Sequence, residues 1–233
     1  MQPRQRPQGW HERPPAAGLG FGLLLGLLFV AASVLANWDF AVILQNAEQR
    51  YGNLGQAKPR IEAWSQLIDA SSELPEADKL RAVNGFFNRQ LRFVDDSRNW
   101  RQNDYWATPL EALVKGAGDC EDYSLAKYFT LRRLGIPSEK LRITYVKAIQ
   151  YNQAHMVLTY YASPGAEPLV LDNLIGEIRP ASQRKDLLPV YAFNAEGLYL
   201  PGTAGKKSDT KKLSRWQDLL QKMRAEGFAI GAG

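Results

Sequence analysis

The chain is poor in sulfur and in histidine: its 233 residues include one cysteine and two histidines. One cysteine excludes an intrachain disulfide, so Cys120 is free or bonded to another molecule. Charge of one sign is also scarce, the formal net charge being only +5. No ladder of basic residues interleaved with aromatics appears, which argues against nucleic-acid binding; GKKSDTKK (205–212) reads as a solvated loop. No EF-hand spacing is present. With 45% hydrophobic and 23% charged residues, the composition fits neither a disordered nor a fibrous protein and suits one globular domain with an added lobe.

A long apolar run occurs in one place, GLGFGLLLGLLFVAASVLA (18–36), behind a lead in which Arg4, Arg6 and Arg13 outnumber Glu12. That pattern is an export signal. Val34 and Ala36 sit at −3 and −1 of a cleavage after Ala36, and the run is nearly long enough to stay as a membrane anchor. Residues 1–36 are therefore assigned as signal peptide or signal anchor. Because His11 lies within them, the exported remainder holds one cysteine and one histidine.

Residues 37–96 read as a helical lobe. WDFAVILQNAEQRYG, PRIEAWSQLIDA and PEADKLRAVNGFFNRQL each keep helical spacing, with Pro75 suited to a first turn. The remainder, 97–233, reads as a core. A polar loop, DDSRNWRQNDYWATP (95–109), leads to AGDCEDYS, after which Tyr123, Tyr128, Leu131 and Leu134 hold helical spacing until Gly135 and Pro137. Cys120 thus begins a helix. Period-two runs follow in LRITYVKAI (141–149), AHMVLTYY (154–161) and AEPLVLDNL (166–174), the last two forming a hairpin. With 162–165 as its loop, Tyr161 pairs with Ala166 and His155 falls opposite Asp172. A one-residue slip would put them on opposite faces. The C-terminal LSRWQDLLQKMRAEGF, with Leu213, Trp216, Leu220 and Met223 in register, reads as a covering helix, and Glu111 as a capping acid.

A thiol at a helix start, a histidine and a carboxylate make a nucleophile, a base and an orienting group. The competing reading is a buried thiol and a core histidine satisfied across a hairpin. The acids around Cys120 pose their own question, since negative charge raises a thiol pKa. Either Asp119 and Glu121 cap the helix, or they lend oxygen ligands to a hard divalent cation, with Asn103 and Asp104 nearby in the preceding loop.

YWATPLEALVKGAGDCEDYSLAKYFTLRRLGIP, NQAHMVL and PLVLDNLIGEIRPASQR together resemble the bacterial transglutaminase-like cysteine proteinases, over roughly residues 50–200. The resemblance implies an α+β fold, with a papain/transglutaminase-like cysteine protease core, a helical N-terminal lobe and an antiparallel sheet. It implies catalytic roles for Cys120, His155 and Asp172, and a bound calcium ion (Ca2+) held by Asp119, Glu121 and Asn103. The Cys120 main-chain N–H is an expected oxyanion donor, with Trp106 a candidate for the second. The implied function is that of a calcium-dependent periplasmic endopeptidase. Its substrate would be a large cell-surface adhesin, cut near the N-terminus to release cells from biofilm. A cyclic di-GMP-responsive inner-membrane receptor would be its inhibitory partner. Two other readings stay open: a transglutaminase-type acyltransferase using the same three residues, and a catalytically silent binding module.

Overall fold

Apolar stripes at helical spacing organise the first third of the chain in the computed structural model, which describes residues 38–201 and 214–230. Helices α1 (Phe40–Tyr51), α2 (Ala57–Ser71) and α3 (Glu76–Gln90) fall where periodicity places them. Asp39 caps α1 by accepting the Ala41 N–H at 3.0 Å. Pro75 stands just before α3, where its missing N–H costs nothing, and Glu76 and Asp78 supply first-turn acid. The stripes meet on Trp64 of α2, whose ring lies 5.2 Å from Trp38, 5.3 Å from Phe40 and 6.3 Å from Phe87. Its indole N–H donates to Thr130 Oγ1 at 2.9 Å, on the helix that Cys120 begins.

A parallel pair, β1 (Arg92–Phe93) with β2 (Ala117–Gly118), brackets helices α4 (Asp96–Asn99) and α5 (Pro109–Lys115). Thr108 and Glu111 form a reciprocal capping box at the start of α5, so Glu111 is the capping acid its position suggests. Helix α6 (Cys120–Arg133) follows at once. Then comes the sheet: β3 (Leu141–Ala148), β4 (Gln153–Tyr160), β5 (Leu169–Leu171), β6 (Arg179–Pro180), β7 (Leu187–Asn194) and β8 (Gly197–Tyr199). Its spatial order is β6-β5-β4-β3-β7-β8, antiparallel throughout. Helix α7 (Ser214–Ala225) buries Trp216, Leu220 and Met223; Leu213 lies outside the described residues, as do 1–37 and the 205–212 run.

Helix α6 packs on β4 and β3 on one side and α3 on the other. One hydrophobic core runs from Ile43 and Trp64 through Leu125 and Leu158 to Trp216. The described residues accordingly form a single compact unit, in which the helices of the first third and the elements that follow share an interior. Among the described residues no helix is long and apolar enough to cross a membrane.

The hairpin register differs from the expected one by two residues. Pairing runs Tyr160↔Leu169, Thr159↔Val170 and Leu158↔Leu171, and β5 is only those three residues long. Pro168 has no N–H to give a ladder, and the Tyr161 N–H is already spent on the Lys140 carbonyl at 2.8 Å. Asp172 therefore follows the strand and is not directly opposite His155. A shift of two preserves the face, so the two side chains still meet diagonally.

Candidate active site

Cys120 is the first residue of α6, and the glycine before the motif is required sterically. A Cβ on Gly118 would stand 2.7 Å from Asp122 Cβ. Asp122, on the first turn, ties the approach to the helix: its Oδ1 accepts the Ala107 N–H at 2.8 Å and its Oδ2 the Asp119 N–H at 3.3 Å. Asp119 and Asp122, the latter not assigned by sequence reasoning, thus form a reciprocal capping box at the start of α6, in which Asp119 Oδ1 keeps no partner among the described residues and the Glu121 carboxylate takes no part.

The Cys120 thiol is half-buried and donates to Glu121 Oε2 at 3.1 Å. Burial, then the charge of Glu121, drives its pKa far up, against a lowering by the Met156 main-chain N–H, which reaches the sulfur from β4. The residue before Met156 is His155, buried, its Nε2 bonded to Asp172 Oδ1 at 2.8 Å. That bond leaves Nδ1 as the ring position able to accept a proton.

Asp172 is held on every side. Its Oδ1 also accepts the Leu174 N–H at 3.0 Å, and its Oδ2 pairs with Arg184 Nη2 at 2.7 Å. Arg184 is itself buried and fixed by Asp186 at 2.8 Å. Burial alone would raise the Asp172 pKa, but the His155 hydrogen bond and charge, with Leu174 and Arg184, bring it down to about 2. A depressed carboxylate pKa gives stability that is present above the unfolded value and is lost only as pH falls through about 2. Asp172 therefore stays ionised across the range in which a histidine titrates. On α6, burial pushes Lys127 down to about 7 although Asp172 pulls it up, so the Lys127 amine lies in the same carboxylate's field.

Beside the thiol the acids converge. Oxygens of Asp96, Asp104 and Glu121 lie within 4.8 Å of one another, as do those of Asp96, Asp119 and Asp122, while Asp119 and Glu121 also group with the Cys120 sulfur. Asp96 Oδ1 and Asp119 Oδ1 are buried without a hydrogen-bond partner among the described residues. Burial, and then for Asp119 the neighbouring Glu121, raises both: Asp96 to about 6 and Asp119 far above the carboxylate range. Unmet buried oxygens amid uncompensated negative charge fit a hard divalent cation with oxygen ligands. Asn103 lies exposed one residue before Asp104 in the same loop. The Trp106 ring, the other candidate donor, stacks on Phe193 at 5.4 Å and its indole faces the Asp104 carboxylate.

Sequence reasoning missed Asp96, Asp122 and Arg184. Asp122 and Arg184 did carry a signal, the one inside AGDCEDYS and the other as the last residue of the PLVLDNLIGEIRPASQR stretch; Asp96 carried none.

The comparisons with known proteins agree with this geometry. The profile of the bacterial transglutaminase-like cysteine proteinase (BTLCP) family matches residues 60–186. The structure of Legionella pneumophila LapG is similar at 43% identity and a TM-score of 0.68, covering 78% of this chain and 96% of that one. Its EGTA-treated form gives a TM-score of 0.70 at 43% identity, with 78% and 96% covered. Its calcium-bound form gives 0.69 at 44% identity, with 79% and 99% covered. No curated protein sequence matches the chain. With its fold, its thiol helix and its sequence all in agreement, the chain belongs to the bacterial transglutaminase-like cysteine proteinases.

Proposed function

We propose that the protein is a calcium-dependent cysteine endopeptidase of the periplasm that cleaves a large cell-surface adhesin near its N-terminus and so releases cells from biofilm. We further propose that a cyclic di-GMP-responsive inner-membrane receptor holds it back. The carrying observation is the His155 Nε2 to Asp172 Oδ1 bond, on the strand whose next amide reaches the Cys120 sulfur. The export run at 18–36 supports the compartment. The adhesin and receptor rest on likeness to the family.

In this reading Cys120 gives its proton to His155 Nδ1, and the thiolate attacks a peptide carbonyl carbon. A C–S bond forms and the carbonyl oxygen takes the negative charge, facing the Cys120 main-chain N–H. As the intermediate collapses the C–N bond breaks, and the departing amine takes the proton from the imidazolium. Water then attacks the thioester, His155 removing its proton and returning it to the sulfur, so the thiol and a new carboxyl terminus are released. Asp172 holds the ring and stabilises its positive form. Asp96, Asp104, Asp119 and Glu121, with Asn103 adjacent, would hold calcium, which when bound supplies the positive charge that offsets these acids. The calcium-bound and EGTA-treated forms of Legionella LapG support this.

The test is incubation of the purified protein with N-terminal adhesin fragments, with and without excess EGTA, and mass analysis of the products. New peptide termini, formed only with calcium, are expected. Cross-links or amine adducts in place of new termini would make the protein an acyltransferase. Asp172→Asn is expected to lower kcat about a hundredfold or more with KM little changed, because the imidazole loses its orienting charge. Wild-type turnover in that variant would remove Asp172 from the mechanism.

A further inference from the structure

We infer that Asn84 and Asn88 of α3 are positioning residues, which hold the main chain of residues 172–176 so that Asp172 can orient His155; the inference rests on the cysteine-protease reading above. Strand β5 ends at Leu171 and β6 begins at Arg179, so the segment between them has no ladder to satisfy its carbonyls. Asn88 Nδ2 donates to the Asp172 carbonyl at 2.8 Å and Asn84 Nδ2 to the Gly176 carbonyl at 2.8 Å. Residues four apart on a helix lie on one face, one above the other. Both ends of the loop are therefore gripped by a single face of α3.

The amide orientation follows from the partner, since a carbonyl can only accept. Each asparagine is then left with an Oδ1 that is buried and has no hydrogen-bond partner among the described residues. An aliphatic side chain on this face would remove the unmet oxygen but leave the Asp172 and Gly176 carbonyls without their donors. Asn84, 1% exposed, gains nothing from solvent in exchange. Two amides kept at that expense on the Asp172 loop point to placement of the loop as their contribution. They also divide the work with Arg184: the arginine fixes the carboxylate, and the asparagines fix the backbone that carries it. The helical segment that precedes the thiol helix in sequence is in this way part of the catalytic apparatus.

The test uses the full chain, with Asn88→Ala, Asn88→Asp and Asn84→Ala made alone and in an Asp172→Ala background. Asn88→Asp, which turns an acceptor towards the carbonyl, is expected to lower kcat about a hundredfold with KM within about twofold, and Asn88→Ala about tenfold. In the Asp172→Ala background the same changes should alter the residual rate less than about twofold, because they act through a group already gone. A purely structural role would give equal losses in both backgrounds, and that result, or wild-type kcat in Asn88→Asp and Asn88→Ala, overturns the inference. Proton NMR of the His155 imidazole N–H, identified by its loss in His155→Gln, gives a reading independent of proteolysis. It should shift or vanish in Asn88→Asp. If even the wild-type protein fails to cleave, the protease reading falls. The imidazole resonance then decides alone: displacement supports the clamp and an unchanged signal overturns it.

Discussion

Cys120→Ala is expected to leave no measurable cleavage in a protein that still folds. The thiol is the only sulfur nucleophile the chain can offer, since no other residue is cysteine. Removing the nucleophile of an acyl-transfer enzyme costs about 10^5–10^6-fold in kcat. The structural effect is of another order. Cys120 is half-buried at the first position of α6, where alanine is a good helix former, and among the described residues its side chain bonds only the adjacent Glu121 and the Met156 amide. Deleting one sulfur there should cost roughly 1 kcal/mol or less. It also takes away a group whose pKa the surrounding acids drive up. Urea unfolding of the variant should therefore give a midpoint close to wild type, beside a cleavage assay that reads only background. A folded Cys120→Ala protein with residual turnover near wild type would sink the nucleophile assignment and bring the silent-module reading back.

Excess EGTA is expected to abolish activity, and added calcium to restore it. Asp96, Asp104, Asp119, Glu121 and Asp122 crowd the start of α6, and burial holds Asp96 and Asp119 above the ordinary carboxylate range. Without a cation that crowding acts on the thiol directly, since Glu121 and Asp119 both raise the Cys120 pKa. With one, the buried Oδ1 atoms of Asp96 and Asp119 gain a partner and the negative field at the sulfur is offset. Asp119→Ala and Glu121→Ala should each weaken calcium binding at least tenfold and depress cleavage in parallel, leaving the distant Trp64 core intact. Magnesium should substitute poorly, because its tighter octahedral shell gives up water reluctantly. Calorimetric titration of EGTA-treated protein is the deciding measurement. No calcium heat, or full activity in excess chelator, would return these acids to a purely structural role.

The thiol helix was legible because its signals are local: an apolar stripe, stop residues at Gly135 and Pro137, and a lone cysteine at the start. The meeting of His155 and Asp172 was legible through the parity of a strand, even though the loop is longer than four residues and the pairing register differs by two. What stayed hidden acts over long separations. Asn88 and Asp172, or Asp96 and Glu121, are brought together only by packing, and nothing in a list of 24 acidic residues marks which will be buried. Strand β7 was hidden for a different reason. Leu188, Pro189 and Val190 are all exposed, so its first half shows no alternation, and a bulge shifts its pairing between Tyr145 and Val146 of β3.

The connection between β4 and β5 has a practical consequence. Residues 162–165 are exposed, and His155 sits five positions back along β4 from the last paired residue, Tyr160, or about 17 Å at strand rise. Since pairing resumes only at Leu169, a peptide tag or fluorophore grafted at Ser163 changes neither the parity nor the register of the strands that carry the chemistry. A single extra residue between His155 and Tyr160 would do the reverse and swing the imidazole to the other face of the sheet. The hairpin tip is thus a handle by which the enzyme can be tethered or tracked without touching the site it helps to build.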